Sequence, residues 1–239
     1  MRLSGDEKLD NGRIEVGGEQ IALVPSRVDH GIYVLLLSLA RVINRRYFKV
    51  DVRGLDKIPS PPYIIAPTHR SNIDSVLMGS LTRTPLRFMG KDSLWKARPI
   101  GRLLNAIGGI PVNRDIADRQ AVDTCVAILG AGQPLVLFPE GTRKQGPMIE
   151  EVLDGAAYIA LKAGVPIIPV GIAGSELAMG KGTKFPRPSR CVMLVGDPIL
   201  TAVQASGSGS RIARSKIKSL TGELQTHLQE LYDEAQGLL

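Results

Sequence analysis

The chain has 239 residues and a formal net charge of +7, with 44% hydrophobic and 4% aromatic residues. That length supports one sizeable folded domain with an aliphatic core. The positive charge indicates anionic partners such as anionic lipid or an acidic carrier, whereas the scarcity of aromatic rings argues against base stacking, so we expect no nucleic-acid partner.

The N-terminal region predicts an arm followed by a membrane-associating helix. Residues 1–26 are polar and contain glycine without clear periodicity, so we expect a loose arm. Residues 28–48 predict one helix with an apolar first half, and basic residues follow at Arg41, Arg45, Arg46 and Lys49. Such a helix fits a membrane interface, with its basic end at the phosphates. A helix that packs against the domain with a solvated basic end fits the pattern equally well.

Two further features indicate where the protein works. The most apolar run extends only from Gly31 to Ala40, whereas a membrane span needs about 20 residues, and the run lacks the start and cleavage pattern of a signal peptide. Cys125 and Cys191 show no metal-site spacing and are too few for a disulfide framework, so we expect reduced core residues in a reducing compartment. We therefore predict a peripheral or monotopic protein on the cytoplasmic face of the cell membrane.

From residue 60 onward, predicted strands and helices alternate. We expect strands at 62–67, 86–90, 109–113, 133–138, 165–172 and 191–196. We expect helices at 72–82, 92–107 with an interruption at Pro99, 116–129, 152–163 and, exposed and amphipathic, 212–231. This alternation of apolar strands with helices predicts an α/β fold with a largely parallel central sheet flanked by helices. We divide the chain into an arm and interfacial helix at 1–50 and a single domain at 51–239.

A histidine and an aspartate, His69 and Asp74, follow the first of these strands. Histidine takes a proton near neutral pH, and a carboxylate on its other ring nitrogen fixes the tautomer and stabilises the imidazolium. On one continuous helix this spacing points the side chains about 140° apart. They meet only if His69 lies in the loop before the helix and Asp74 in its first turn, with Ser71 or Asn72 as N-cap. The same residues also fit a capping box in which His69 is an ordinary loop residue.

Polar residues recur after the strands, at the edge where open α/β sheets bind ligands. Four successive strands are followed by a base, a cation or a turn: His69, Lys91, Arg114, and the turn of Glu140, Gly141, Thr142 and Arg143. Arginine suits phosphate through bidentate donation and lysine as a point charge. Each cation alone also fits a solvated surface charge, and the turn fits ordinary Pro and Gly turn chemistry. Their shared placement predicts a phosphate site.

Four blocks occur in order: HRSNID at 69–74, GGIPVNR at 108–114, FPEGTR at 138–143 and VPIIPV at 165–170. They resemble the HX4D, G-x-I-x-V-x-R, FPEGTR and VPIxPV motifs of the glycerolipid acyltransferases, in particular the 1-acylglycerol-3-phosphate (lysophosphatidate) O-acyltransferases. The resemblance covers roughly residues 60–200. Its specificity comes from FPEGTR at this distance after HX4D, because a short motif alone matches often by chance.

The resemblance implies a mechanism and a set of site residues. His69 is the general base that takes the proton from a glycerol hydroxyl, Asp74 orients it, and the oxygen attacks the acyl thioester without an acyl-enzyme. The glycerol-phosphate site is carried over onto Lys91, Arg114, Glu140, Gly141, Thr142 and Arg143. The family needs no metal and no cofactor; acyl-CoA or acyl-ACP is the co-substrate, a lysophospholipid the acceptor, and an anionic membrane the surface.

We therefore expect acyl transfer to lysophosphatidate, giving phosphatidate in phospholipid biosynthesis. Another lysolipid or glycerol 3-phosphate as acceptor, or a basic lipid-binding module without catalysis, is the alternative. Two positions depart from the family pattern: Thr68 replaces the usual Asn before the histidine, and Lys144 replaces a common Ser after FPEGTR. Thr68 puts the hydrogen bonding of its position in doubt, and Lys144 adds a cation beside the predicted phosphate site.

Overall fold

A computed structural model describes residues 13–16, 19–22, 27–112, 119–201 and 212–239. The strands in these ranges are β1 (Arg13–Val16), β2 (Glu19–Ala22), β3 (Asp51–Arg53), β4 (Ile64–Pro67), β5 (Arg87–Lys91), β6 (Gly109–Val112), β7 (Leu135–Val136), β8 (Ile167–Ala173) and β9 (Val192–Val195). The α-helices are α1 (Arg27–Arg46), α2 (Asp74–Leu77), α3 (Arg98–Ala106), α4 (Arg119–Gly130), α5 (Gly155–Ala163), α6 (Ser175–Met179) and α7 (Arg214–Gly237). Short 3₁₀ turns occupy Leu55–Lys57, Met78–Ser80 and Asp92–Lys96.

The central sheet has the strand order β3-β9-β8-β4-β7-β5-β6. Its neighbouring strands are parallel except β8 and β9, which run antiparallel. Ile64 of β4 pairs with Ile167 of β8 on one side and with Leu135 of β7 on the other. This arrangement confirms the predicted α/β fold with a largely parallel sheet. The strands β1 and β2 form a separate antiparallel hairpin.

The direction of the crossovers assigns the helices to the two faces of the sheet. The connections β4-α2-β5 and β5-α3-β6 advance one way across the sheet, and β6-α4-β7 and β7-α5-β8 return. Because parallel crossovers are right-handed, α2 and α3 lie on one face and α4 and α5 on the other. Helix α1 packs on α2 and α3, and α7 packs on β8 and α5. We call α1, α2 and α3 the α1 layer, and α4, α5 and α7 the α7 layer.

The core forms on both faces of the sheet. Along β4, Ile64 and Ala66 pack beneath the α7 layer, and Ile65 packs beneath the α1 layer with Leu77 of α2. All of these side chains are fully buried. Strands covered on both faces are apolar at every position rather than at alternate ones, which is why the runs after residue 60 predict them correctly.

The C-terminal helix differs from its prediction. It was expected to be exposed and to end at residue 231, but α7 extends to Gly237 and buries Leu220, Leu224 and Leu228 against the domain. At Gly171 of β8, an added Cβ would lie 2.5 Å from the backbone of Leu231. Glycine therefore lets the helix backbone approach the sheet, and the expectation of an exposed helix is wrong.

Three other segments refine the predicted organisation. Part of the expected loose arm is the β1–β2 hairpin, and the rest of residues 1–26 lies outside the described residues. The predicted helix at 72–82 consists of α2 and the 3₁₀ turn at Met78–Ser80. The strand β3 was not predicted, because three residues carry no readable period; its pairing with β9 creates it. In the described residues, no helix is long and apolar enough to cross a membrane.

Candidate active site

The histidine and the aspartate of the first motif lie together at the end of β4. His69 is in the loop after the strand, and Asp74 is the first residue of α2. His69 Nδ1 lies 3.0 Å from Asp74 Oδ2. The Asp74 side chain is fully buried, and the His69 side chain remains 17% exposed. The arrangement that lets the two side chains meet is therefore present: His69 lies in the loop with its imidazole partly exposed, and Asp74 lies in the first turn with its carboxylate buried.

The buried carboxylate of Asp74 also shapes the loop that carries His69. Asp74 Oδ2 accepts the backbone N–H of Arg70 at 2.8 Å and that of Ser71 at 2.7 Å. The predicted N-cap at Ser71 or Asn72 is wrong, because α2 is capped by Ile73, which offers no side-chain bond. The Ser71 hydroxyl instead donates to the carbonyl of Met179 at 2.6 Å. The loop is therefore bent around the carboxylate before α2 begins.

The imidazole has the surroundings of a general base. With Nδ1 donating to Asp74, the lone pair of Nε2 is free to accept a proton. Within the described residues, Nε2 of His69 has no hydrogen-bond partner. The ring stacks on Phe138 of the FPEGTR segment, with centroids 4.1 Å apart and planes at 29°. The first and third motifs thus hold the ring from two sides.

Glu140 connects the FPEGTR turn to the loop of the histidine. Its Oε1 accepts the backbone N–H of His69 at 2.7 Å, and its side chain is fully buried. Burial raises the pKa of the Glu140 carboxyl, against the lowering effects of the His69 N–H and of the Arg70 charge. This carboxylate points into the protein at the base of the loop. Its assignment to the glycerol-phosphate site stays a prediction.

Arg70, which sequence reasoning did not single out, lies at the centre of this arrangement. Its side chain is 1% exposed, and its Nη2 lies 3.7 Å from Glu140 Oε2. The guanidinium also donates to the carbonyl of Met148 at 2.9 Å and lies 4.9 Å from the centre of the Tyr232 ring on α7. Nothing in the sequence marks a basic residue between the two ends of HX4D as buried, so only the tertiary contacts reveal it.

The FPEGTR turn closes back onto the same loop. Gly141 has a positive φ of 68°, which glycine adopts without strain, and its N–H donates to the carbonyl of Phe138 at 3.0 Å. An added Cβ at Gly141 would lie 2.6 Å from Leu153 Cδ1, so a side chain rather than open space faces this position. The backbone N–H of Lys144 donates to the carbonyl of His69 at 2.9 Å.

Both residues that depart from the family pattern, Thr68 and Lys144, form hydrogen bonds with the backbone of the site. The Thr68 hydroxyl accepts the N–H of Ile172 at 3.0 Å and donates to the carbonyl of the same residue at 3.4 Å. Thr68 is fully buried, so it joins the end of β4 to β8 just before His69. Lys144 contributes its backbone to the loop contact, and its side chain lines a cavity of about 300 Å³ together with Arg70, Glu176, Lys181 and Tyr232.

The remaining predicted site residues differ in their exposure and in their contacts. Arg143 is partly buried and, among the described residues, makes no hydrogen bond or ion pair. Thr142 is exposed, and its N–H donates to the carbonyl of Glu140 at 2.7 Å. Lys91 ends β5 in register with Val112 of β6. Arg114 lies outside the described residues. These assignments to a phosphate site stay predictions.

Comparison with known proteins places the chain among acyltransferases. The acyltransferase family model matches residues 49–173. A chloroplastic 1-acyl-sn-glycerol-3-phosphate acyltransferase of Brassica napus is 29% identical over 143 residues, which are 58% of this chain and 41% of that protein. The 1-acyl-sn-glycerol-3-phosphate acyltransferase of Bacillus subtilis is 23% identical over 209 residues, which are 87% of this chain and 100% of that protein. The chain thus spans less than half of the plant relative and the whole of the bacterial one.

A solved structure shares the fold. The crystal structure of the 1-acyl-sn-glycerophosphate (LPA) acyltransferase PlsC from Thermotoga maritima has a TM-score of 0.68, covering 89% of this chain and 83% of that one. The two sequences are 22% identical, so this likeness concerns the architecture. The agreement over most of both chains indicates that the sheet order and the helical layers described above belong to the same fold.

Proposed function

The chain belongs to the acyltransferase family, and from that premise we propose that it transfers a fatty acyl group from an acyl thioester to a free hydroxyl of lysophosphatidate, giving phosphatidate for phospholipid biosynthesis. The observation that carries the proposal is the contact between His69 and Asp74, with the imidazole partly exposed and its Nε2 without a hydrogen-bond partner among the described residues. The names of the relatives support lysophosphatidate as the acceptor.

The chemistry follows from the arrangement of the pair. His69 Nε2 takes the proton of the acceptor hydroxyl while the hydroxyl oxygen attacks the thioester carbonyl. The new C–O bond forms, the C–S bond breaks, and the leaving thiolate takes the proton from the imidazolium. The Asp74 carboxylate, 3.0 Å from Nδ1, stabilises the imidazolium between these two steps. The thioester is a co-substrate, and we expect no metal or cofactor to take part.

The phosphate of the acceptor is proposed to bind cations of the second and third motifs. Arg143 is the described residue that best supports this, because its guanidinium has no hydrogen bond or ion pair within the described part of the chain. Arg114 and Lys91 are proposed as its partners from the sequence. Glycerol 3-phosphate or another lysolipid would present similar phosphate chemistry and remains the alternative acceptor. Acyl-CoA and acyl-ACP are both anionic donors that suit a net charge of +7.

The acceptor is a membrane lipid, and we propose that α1 holds the domain on the cytoplasmic face of the membrane without crossing it. Leu35, Leu39 and Val42 of α1 expose about half of their side chains or more. The Arg41 side chain takes no part, because it donates to the carbonyls of Gly79 and Thr82. The basic contribution is assigned to Arg45, Arg46 and Lys49, all exposed.

A direct assay tests the proposal. Purified protein is supplied with one radiolabelled acyl thioester and a panel of acceptors, and the position of the acyl group in the product is determined. The His69→Ala variant should lose the activity, whereas His227→Ala, at a partly exposed position on α7, should keep it. Acceptor binding without turnover by the unaltered protein would favour the non-catalytic lipid-binding alternative.

A further inference from the structure

A second helix of the α1 layer, α3, also exposes large apolar side chains. Ile100 and Leu103 of α3 are 48% and 47% exposed, and Leu94 in the 3₁₀ turn before α3 is 48% exposed. On α1, Leu35 and Leu39 are 68% and 53% exposed. Large aliphatic side chains of this exposure on adjacent helices are unusual for a solvated surface and indicate contact with another apolar phase.

These two helices present their apolar faces in the same direction. Helix α3 lies on the same face of the sheet as α2 by its crossover, and α1 packs against both. The inner side of α1 is occupied by Leu37, close to Gly79, and by the buried Asn44. The inner side of α3 includes Gly101, which packs on Trp95. The opposite sides of α1 and α3 therefore both point away from the sheet.

The opposite layer shows that this exposure is not general. Within the described residues of α4, α5 and α7, every large hydrophobic side chain is buried or partly buried. On α7, for example, the side chains of Leu224 and Leu228 are completely buried. One helical layer thus covers its apolar residues against the sheet, and the other leaves a second set uncovered on its outer surface.

The charges around the uncovered surface are mainly positive. Exposed basic side chains flank the apolar residues of both helices: Arg45, Arg46 and Lys49 after α1, and Lys96, Arg98 and Arg102 around α3. An apolar surface bordered by lysine and arginine complements an anionic bilayer, where each basic residue near the surface contributes about 1 kcal/mol. This charge complementarity selects a membrane, rather than a second protein surface, as the partner.

We propose that α3 and the 3₁₀ turn before it dock on the bilayer together with α1, so that the outer surface of the α1 layer lies on an anionic membrane. This inference rests on the proposed function in one respect, the choice of a membrane lipid as acceptor. This docking also orients the active site. Asp74 begins α2, which belongs to the α1 layer, so His69 and Asp74 lie on the side of the sheet that faces the membrane. Membrane binding is then shared between two helices instead of depending on α1 alone.

Vesicle flotation of single variants tests this docking. The probes are vesicles of phosphatidylcholine with phosphatidylglycerol, at low and high salt, without acyl donor. Ile100→Glu, Leu103→Glu and, on α1, Leu39→Glu should each lower the partition coefficient about tenfold or more, because each removes an aliphatic side chain from the contact with the bilayer. Leu200→Glu is the matched control, since Leu200 is 80% exposed outside the α1 layer and should bind like the unaltered protein.

Two outcomes overturn the inference. If the α3 variants float like the unaltered protein while Leu39→Glu does not, α1 is the sole anchor. If the unaltered protein does not float, the surface is no membrane site, and a change in sedimentation of the α3 variants would assign it to a second copy of the chain. Thermal unfolding of each variant checks that the fold is intact. Because flotation needs no turnover, a failure of acyl transfer with flotation intact would overturn the proposed function and leave this docking standing.

Discussion

The guanidinium of Arg70 lies 3.7 Å from the carboxylate of Glu140, and both side chains are almost completely buried. Arg70 follows the histidine of the first motif, and Glu140 belongs to the FPEGTR motif. The Arg70 guanidinium also lies against Tyr232 of α7, and Glu140 also holds the backbone of His69. This ion pair therefore links both motifs and the C-terminal helix beneath His69.

Breaking this pair from one side should destabilise the fold. Arg70→Met leaves the buried Glu140 without its counter-charge, and we expect a loss of about 3–5 kcal/mol in the free energy of unfolding, measured by urea denaturation. Arg143→Ala, in the turn that carries Glu140, removes no hydrogen bond or ion pair found in the described part of the chain and should change the free energy of unfolding by about 0.5 kcal/mol or less. Adding Glu140→Gln to Arg70→Met should restore part of the loss. A double variant less stable than Arg70→Met would contradict the account.

The raised pKa of Glu140 predicts a pH dependence of stability. A carboxyl whose pKa is higher in the folded than in the unfolded protein adds to the free energy of unfolding while the pH is below its unfolded pKa. This stabilisation is lost as the pH rises through the folded pKa. The free energy of unfolding of the unaltered protein minus that of Glu140→Gln should therefore fall as the pH rises above the ordinary pKa of a glutamate. A difference that grows over this range would mean that Arg70 outweighs burial. Urea denaturation at a series of pH values measures it.

If His69 and Asp74 form the proposed catalytic pair, replacing the base and replacing its partner should have different effects. His69→Ala should lower kcat about 10²- to 10⁴-fold with an unchanged free energy of unfolding. Asp74→Asn should also lower kcat, because the imidazolium loses its counter-charge. Asp74→Ala should in addition lower the free energy of unfolding. The buried N–H groups of Arg70 and Ser71 lose their acceptor, and each such loss costs about 1–3 kcal/mol of stability. An active His69→Ala enzyme would refute the assignment.

The proposed phosphate site separates the two substrates kinetically. Arg143→Ala and Arg114→Ala should each raise the KM for lysophosphatidate about 10- to 150-fold, because each loses a hydrogen bond to a charged phosphate. The KM for the acyl thioester should change much less. Arg187→Ala, an exposed arginine elsewhere, serves as the control. Equal effects on both substrates would argue against a dedicated phosphate site.

Both cysteines should resist thiol reagents in the folded protein. Cys125 and Cys191 are buried and free, and burial raises the pKa of each thiol to about 12. At neutral pH the reactive thiolate is then about a thousandfold scarcer than for an exposed cysteine. Dithionitrobenzoate should therefore label neither residue in native protein and both in denaturant. Rapid labelling of native protein would contradict the burial.

The sequence by itself determined most strands of the central sheet and the candidate pair of His69 and Asp74, because both depend on neighbours along the chain. Continuous apolar runs such as residues 165–172 predict strands covered on both faces. The spacing of His69 and Asp74 lets them meet only if His69 lies in a loop and Asp74 in the first turn of a helix, and the structure places His69 Nδ1 3.0 Å from Asp74 Oδ2. The bounds of α1 were likewise predicted within two residues, since its apolar residues and the basic residues after them follow one another along the chain.

Only the tertiary structure decided which surfaces are covered and which charges are buried. The hydrogen bond between Glu140 and His69 joins positions 71 residues apart, through strands that are adjacent only after β4 and β7 pair. The same reason explains the error at the C-terminal helix and the exposure of α3. An amphipathic pattern shows that a helix has an apolar face, but the covering of that face depends on the partner brought to it: Leu224 of α7 meets the sheet, whereas Leu103 of α3 stays exposed.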